Sequence, residues 1–191
     1  MKKYMYMMIS AMLIAFSAGC SKDTNEFSIV PANPDNVLHI QSDNGKTSTG
    51  LVYKRDGSIY KSIECHYDND STVVYHMTFS AYIKGSDVFT VLNVSFESNQ
   101  PVSFSDLKTG DTFDSSQFHV AAAYYVTGEE ALFITTRALS GSVTVVGFRS
   151  DGDHKYMALK LTDLCFNAID NSCVYTVNGL VEYEYWDVHY E

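Results

Sequence analysis

The acidic pair Glu182 and Glu184 has the spacing that acid–base chemistry needs. Two apart on an extended strand, they would share a face about 6.5 to 7 Å apart, within reach of the carboxylate separations used by glycosidases. Acids alternating with aromatics, as in Tyr183-Glu184-Tyr185, equally describe a wet sheet face. Trp186, the only Trp in the chain, falls on the same face as the two acids and opposite Tyr183 and Tyr185. A flat apolar ring beside hydrogen-bond acceptors is what sugar stacking requires. The competing reading makes Trp186 core, covered by a second sheet or by the N-terminal spacer. A further group is oxygen-rich: Asp68 and Asp70 beside His66, and Asp151 and Asp153 beside His154. Such carboxylates can ligate a hard cation such as calcium, and the same stretches also read as ordinary polar turns. No Gly-x-Ser-x-Gly, His-Glu-x-x-His or phosphate-cradling Gly-x-x-x-x-Gly-Lys occurs, so no catalytic residue is assigned.

The segments that would position these residues read as strands almost throughout. From Thr72 to Ile83, Val73, Tyr75, Met77, Phe79, Ala81 and Ile83 alternate with a more polar set, a period of two. His76 sits in that second set and is expected to face solvent. Lys84-Gly85-Ser86-Asp87 reads as a turn into a paired strand over Val88 to Glu97. Asp56-Gly57, between two apolar runs, is the strongest short hairpin signal. Further strands are predicted near Val37 to Gln41, Gln117 to Val126, Ala131 to Leu139, Gly141 to Phe148, Lys155 to Phe166 and Cys173 to Val188. The apolar phase slips between Leu161 and Leu164, which predicts a β-bulge at Thr162-Asp163. Ser103 to Lys108 is the only stretch suited to a helical turn. The expected fold is therefore all-β: an antiparallel β-sandwich of about ten strands, with a β-barrel as the alternative.

The N-terminus carries an address. Lys2 and Lys3 precede the uncharged run Met5 to Phe16, then Ser17, Ala18, Gly19 and Cys20. This is the pattern of a signal peptide, and a helix over that run would reach only about 18 Å, short of the roughly 30 Å hydrocarbon core. Ser-Ala-Gly-Cys resembles a bacterial lipobox, with Ser17 where Leu is commoner. The resemblance implies cleavage after Gly19 and lipidation of Cys20. Ser21 to Glu26 is similar to the polar, acidic leader of surface lipoproteins of the Bacteroidota, which implies an outer-membrane anchor facing outward. Gly141 to Val145, Leu159 to Phe166 and Tyr175 to Tyr183 likewise resemble small all-β lipoproteins of gut Bacteroidota, most of them without assigned function. The expected organisation is a signal peptide over 1–19, a lipidated Cys and flexible spacer over 20–35, and one domain over 36–191.

The full chain has 191 residues, 46% hydrophobic and 14% aromatic, enough for a sizeable core. It holds 13 Lys+Arg against 23 Asp+Glu; loss of residues 1–19 removes two Lys and leaves a net charge of −12. That charge disfavours nucleic acid and anionic headgroups as partners, so membrane attachment should rest on lipid. With Cys20 lipidated, three cysteines remain in an oxidising compartment. Cys165 and Cys173, bracketing seven residues at a hairpin, are candidates for a disulfide, and the alternative is that all three stay reduced. Two functions are expected. One is a non-catalytic binding or adhesion module anchored at the cell surface, for a glycan or a surface protein. The other is a secreted glycoside hydrolase using paired carboxylates.

Overall fold

Alternating inward and outward side chains dominate the chain, and the computed structural model resolves that pattern into one sheet. It describes residues 36–65, 71–85, 88–124, 132–168 and 171–186. The strands are β1 (Val37–Ser42), β2 (Thr47–Cys65), β3 (Ser71–Lys84), β4 (Val91–Ser98), β5 (Thr112–Asp114), β6 (Phe118–Tyr124), β7 (Leu132–Arg137), β8 (Ser140–Asp151), β9 (His154–Asn167) and β10 (Val174–Tyr185). They lie in the order β5-β8-β9-β10-β1-β2-β3-β4-β6-β7. Neighbours in that order run antiparallel, and the sheet curls until it is nearly closed and barrel-like. The expected all-β class of about ten strands is observed, and the barrel alternative fits this curled sheet as well. Near the seam the chain passes from β7 straight into β8, and Leu139 N–H donates to Cys165 C=O of β9 at 2.7 Å.

The inward side chains fill the interior. Leu38, Phe79, Val94, Phe118, Val145, Leu161 and Val177 are all essentially inaccessible to water. A single 3-10 turn over Phe104–Asp106, capped by Ser103, is the expected helical turn. It places Phe104 against Phe79 and Tyr185, with ring centroids 5.6 and 4.9 Å away. Such edge and tilted contacts contribute about 0.5 to 1.5 kcal/mol each beyond the area they bury.

The bulge lies where the phase slip predicts it. Asp163 takes a φ of +46°, and the register with β10 shifts between Val177 and Gly179. Asn178 holds the bulge, its Oδ1 accepting from Asp163 N–H at 2.8 Å. Gly141 faces the same spot at φ +102°; a Cβ there would stand 2.3 Å from Asp163 O.

The hairpin at Asp56-Gly57 is not observed. β2 runs unbroken through both residues, paired with Ser80 and Phe79 of β3. Gly57 has no left-handed backbone to serve; its missing side chain makes room, since a Cβ would sit 3.2 Å from both Phe104 Cζ and Tyr185 Cβ. Here β10 and β2 also pair directly and in parallel, Glu184 with Asp56 and Tyr185 with Gly57. β1 separates these two strands further along the sheet. Asn36 sits at the fork: its C=O accepts from Val52 N–H at 2.8 Å, and its Oδ1 accepts from Glu182 N–H at 3.0 Å.

Candidate functional site

The outward face at the end of β10 gathers most of the residues that the sequence singles out. Register places Arg149 of β8 beside Tyr156 of β9, and Tyr156 beside Glu184 of β10. Across the turn of the β8–β9 hairpin Asp151 pairs with His154. Trp186 follows the last β10–β9 pair, Tyr185 with Lys155, one residue beyond the strand. It is 56% exposed, which excludes the core reading for this indole.

Glu182 behaves otherwise than expected. Its side chain is on the predicted face but fully buried, at 0% exposure. Arg149 donates to both carboxylate oxygens, from Nε at 2.7 Å and from Nη2. Arg55 Nη2 adds a contact at 3.8 Å. The fork explains the burial, because Asn36 packs over the backbone of Glu182 where β1 gives way between β10 and β2. Arg149 also lies flat over the Tyr156 ring, 3.8 Å from its centroid. Its hydrogen bonds to the Glu182 carboxylate raise the guanidinium above its already high ordinary value. A carboxylate held by two guanidinium groups and hidden from water cannot accept from a ligand.

Glu184, unlike the sealed Glu182, is only half-buried, with its Oε1 bonded to His154 Nδ1. That bond, with Asp151 and Asp153 nearby, raises the His154 imidazole above its ordinary value. Trp186, one residue past β10, thus follows a strand end that carries a carboxylate–imidazole pair offering both an acceptor and a donor. This surface can stack on a flat apolar ring face and hydrogen-bond hydroxyls around it.

Asp151 and Asp153, expected as calcium ligands, are exposed on that turn. Among the described residues no three His, Cys, Asp or Glu side chains are grouped closely enough to hold a metal ion. Asp68 and Asp70 lie outside the described residues.

Cys165 and Cys173 are free thiols, not the expected disulfide. Cys165 alternates with the inward Leu164 and Phe166 and so faces out, where Sγ meets Thr176 Oγ1 at 3.2 Å. Cys173 is buried on the inner side with Val177 and Tyr183. The two thiols stand on opposite faces of the sheet.

His76 does not face solvent. It is 8% exposed, stacked on Tyr60 with centroids 4.6 Å apart, and bonded through Nε2 to Ser62 Oγ at 2.7 Å. The alternation pattern places His76 on the outward face correctly; the covering by Tyr60 comes from the directly paired position on β2, which periodicity alone does not reveal.

Comparison with protein-family models, curated proteins and solved structures returned no match for this chain.

Proposed function

We propose that this chain is an exported, lipid-tethered binding module whose ligand is a glycan gripped at the end of β10. The observation that carries the reading is Trp186, a large indole left more than half exposed one residue past the strand end that carries the Glu184–His154 pair. Leaving that much aromatic surface in water forgoes burial energy of about 25 cal/mol per Å², and such surface is commonly kept where something binds. The carboxylate pair does no catalysis in this reading. Glycosidase chemistry needs both acids to reach the scissile bond, and Glu182 is sealed under Arg149.

Support for the tether comes from Lys2, Lys3, the run to Phe16 and Cys20. Each acyl CH₂ buried in the bilayer contributes about 0.8 kcal/mol, so a multiply acylated Cys20 would hold stably where one chain holds reversibly. An outer-membrane, surface-facing location follows from the resemblance of the Ser21 to Glu26 leader.

The test is a glycan screen run in parallel on the wild-type protein and Trp186→Ala. The expected result is at least one oligosaccharide that raises the melting temperature of the wild type by mass action and leaves that of Trp186→Ala unmoved. A ligand that stabilises both proteins equally places the binding site elsewhere and overturns the reading.

A further inference from the structure

On the opposite side of the barrel, five outward side chains from five successive strands form a line: Ser62 of β2, His76 of β3, Glu97 of β4, His119 of β6 and Arg137 of β7. Ser62 Oγ lies 2.7 Å from His76 Nε2, and His76 Nδ1 lies 3.7 Å from Glu97 Oε1. The same Glu97 oxygen meets His119 Nδ1 at 2.8 Å, and Arg137 Nε donates to His119 Nε2 at 3.4 Å.

The donors and acceptors along this line set each proton. Because Arg137 can only donate, His119 Nε2 must accept, which puts the His119 proton on Nδ1, toward Glu97. Glu97, 3.7 Å from His76 Nδ1, is a charge neighbour rather than a hydrogen-bond partner of that ring, and with the proton on Nδ1 the Nε2 lone pair accepts from the Ser62 hydroxyl. Tyr60 stacked on the His76 ring, at an interplanar angle of 12°, keeps the imidazole in this orientation and away from bulk water. A hydroxyl bonded to a base that is held in place, with a carboxylate close by, is an arrangement that activates a serine.

We propose that Ser62 is an activated nucleophile and that this face of the barrel hydrolyses small carboxylic esters, an activity separate from binding at Trp186. Ser62 Oγ attacks the ester carbonyl carbon while its proton passes to His76 Nε2. The tetrahedral adduct expels the alkoxide, which takes that proton and leaves as the alcohol. A water molecule, deprotonated by the same Nε2, then attacks the acyl-serine, releases the carboxylic acid and restores Ser62. Ester and water are the only reactants. Glu97 acts as a positioning residue through His76.

A small cavity adjoins the line. Val74, directly paired with Ser62, is on the wall of a cavity of about 270 Å³ that also meets Glu97, Asn99, Gln117, His119 and Arg137. Ser62 and His76 stand beside this cavity rather than on its wall, and its mostly polar lining of amide and guanidinium groups offers donors for the polar part of an ester.

The experiment treats the folded protein with a fluorophosphonate probe and maps the adduct by peptide mass spectrometry, with p-nitrophenyl acetate hydrolysis measured alongside. The expected result is an adduct on Ser62, with hydrolysis falling about 100-fold in Ser62→Ala and in His76→Ala. Glu97→Gln should slow hydrolysis and Glu97→Asp should restore part of it, which a purely structural carboxylate would not require. The adduct is read on the wild type, so the outcome does not depend on any variant folding. No adduct at Ser62, or hydrolysis unchanged in a Ser62→Ala protein that melts like the wild type, overturns the proposal.

Discussion

Replacing Arg149 by Met keeps most of the side-chain stem over Tyr156 and removes the charge that covers Glu182. The carboxylate is left at 0% exposure with Arg55 3.8 Å away as its remaining cationic partner. Breaking a buried pair by removing one member costs about 3 to 5 kcal/mol, because the other charge stays desolvated. Arg149 keeps 19% of its side chain in water and Arg55 compensates in part, so about 2 to 4 kcal/mol is expected here. For a domain of this size each kcal/mol shifts the melting temperature by about 2 to 4 °C, which gives a fall of about 4 to 16 °C. The assay is a double-mutant cycle by thermal or urea unfolding with Arg149→Met, Glu182→Met and both together. The double variant should be more stable than Arg149→Met alone, since removing both charges leaves nothing uncompensated. An Arg149→Met cost below about 0.5 kcal/mol, the scale of an ordinary surface change, would refute the picture of a sealed carboxylate.

Other expected outcomes are simpler to read. Gly141→Ala should destabilise the fold by more than the roughly 1 to 3 kcal/mol of backbone strain at φ +102°, because its Cβ also meets Asp163 O; equilibrium unfolding at or above wild-type stability would contradict this. Tyr183→Phe should be neutral or stabilising by about 1 kcal/mol, since the Tyr183 hydroxyl is fully buried with no hydrogen-bond partner among the described residues and burial pushes its phenol above the usual range; a clear loss of stability on urea unfolding would show that the hydroxyl has a partner. The His154 imidazole is raised by Glu184, so its stabilising charge is fully present below its ordinary value of 6.5 and is lost as pH rises through the raised folded value; NMR titration should find it above 6.5, and Glu184→Gln should bring it down. In cells, Cys20→Ala should lose acyl label and leave the membrane fraction, and unchanged sedimentation would remove the lipid tether from the account.

Alternation was legible wherever one face of a strand meets the core. Met77 to Ile83 and Tyr175 to Tyr185 read correctly because inward residues contact the interior every second position, whereas Val73, placed in the same set, is exposed near the start of β3. The bulge at Asp163 was legible for the same reason, as a break in that phase. What periodicity does not carry is the identity of cross-strand neighbours. Asp56-Gly57 has the composition of a turn, yet the space needed by Phe104 and Tyr185, remote in sequence, decides why Gly stands there. Glu182 and His76 were placed on the correct face with the wrong exposure. Each is covered by residues from other strands, Arg149 and Asn36 in one case and Tyr60 in the other. The same limit hid the line from Ser62 to Arg137, whose members are spread over 76 positions of sequence and meet only through register.

Trp186 is the only indole in the chain, so intrinsic fluorescence reports the proposed binding surface and nothing else of its kind. A titration of the folded protein with the oligosaccharide that stabilises it most in the glycan screen should give a saturable change in Trp186 emission, together with protection from iodide quenching. Emission and quenching that stay flat while the same sugar raises the melting temperature would contradict a ligand seated on Trp186.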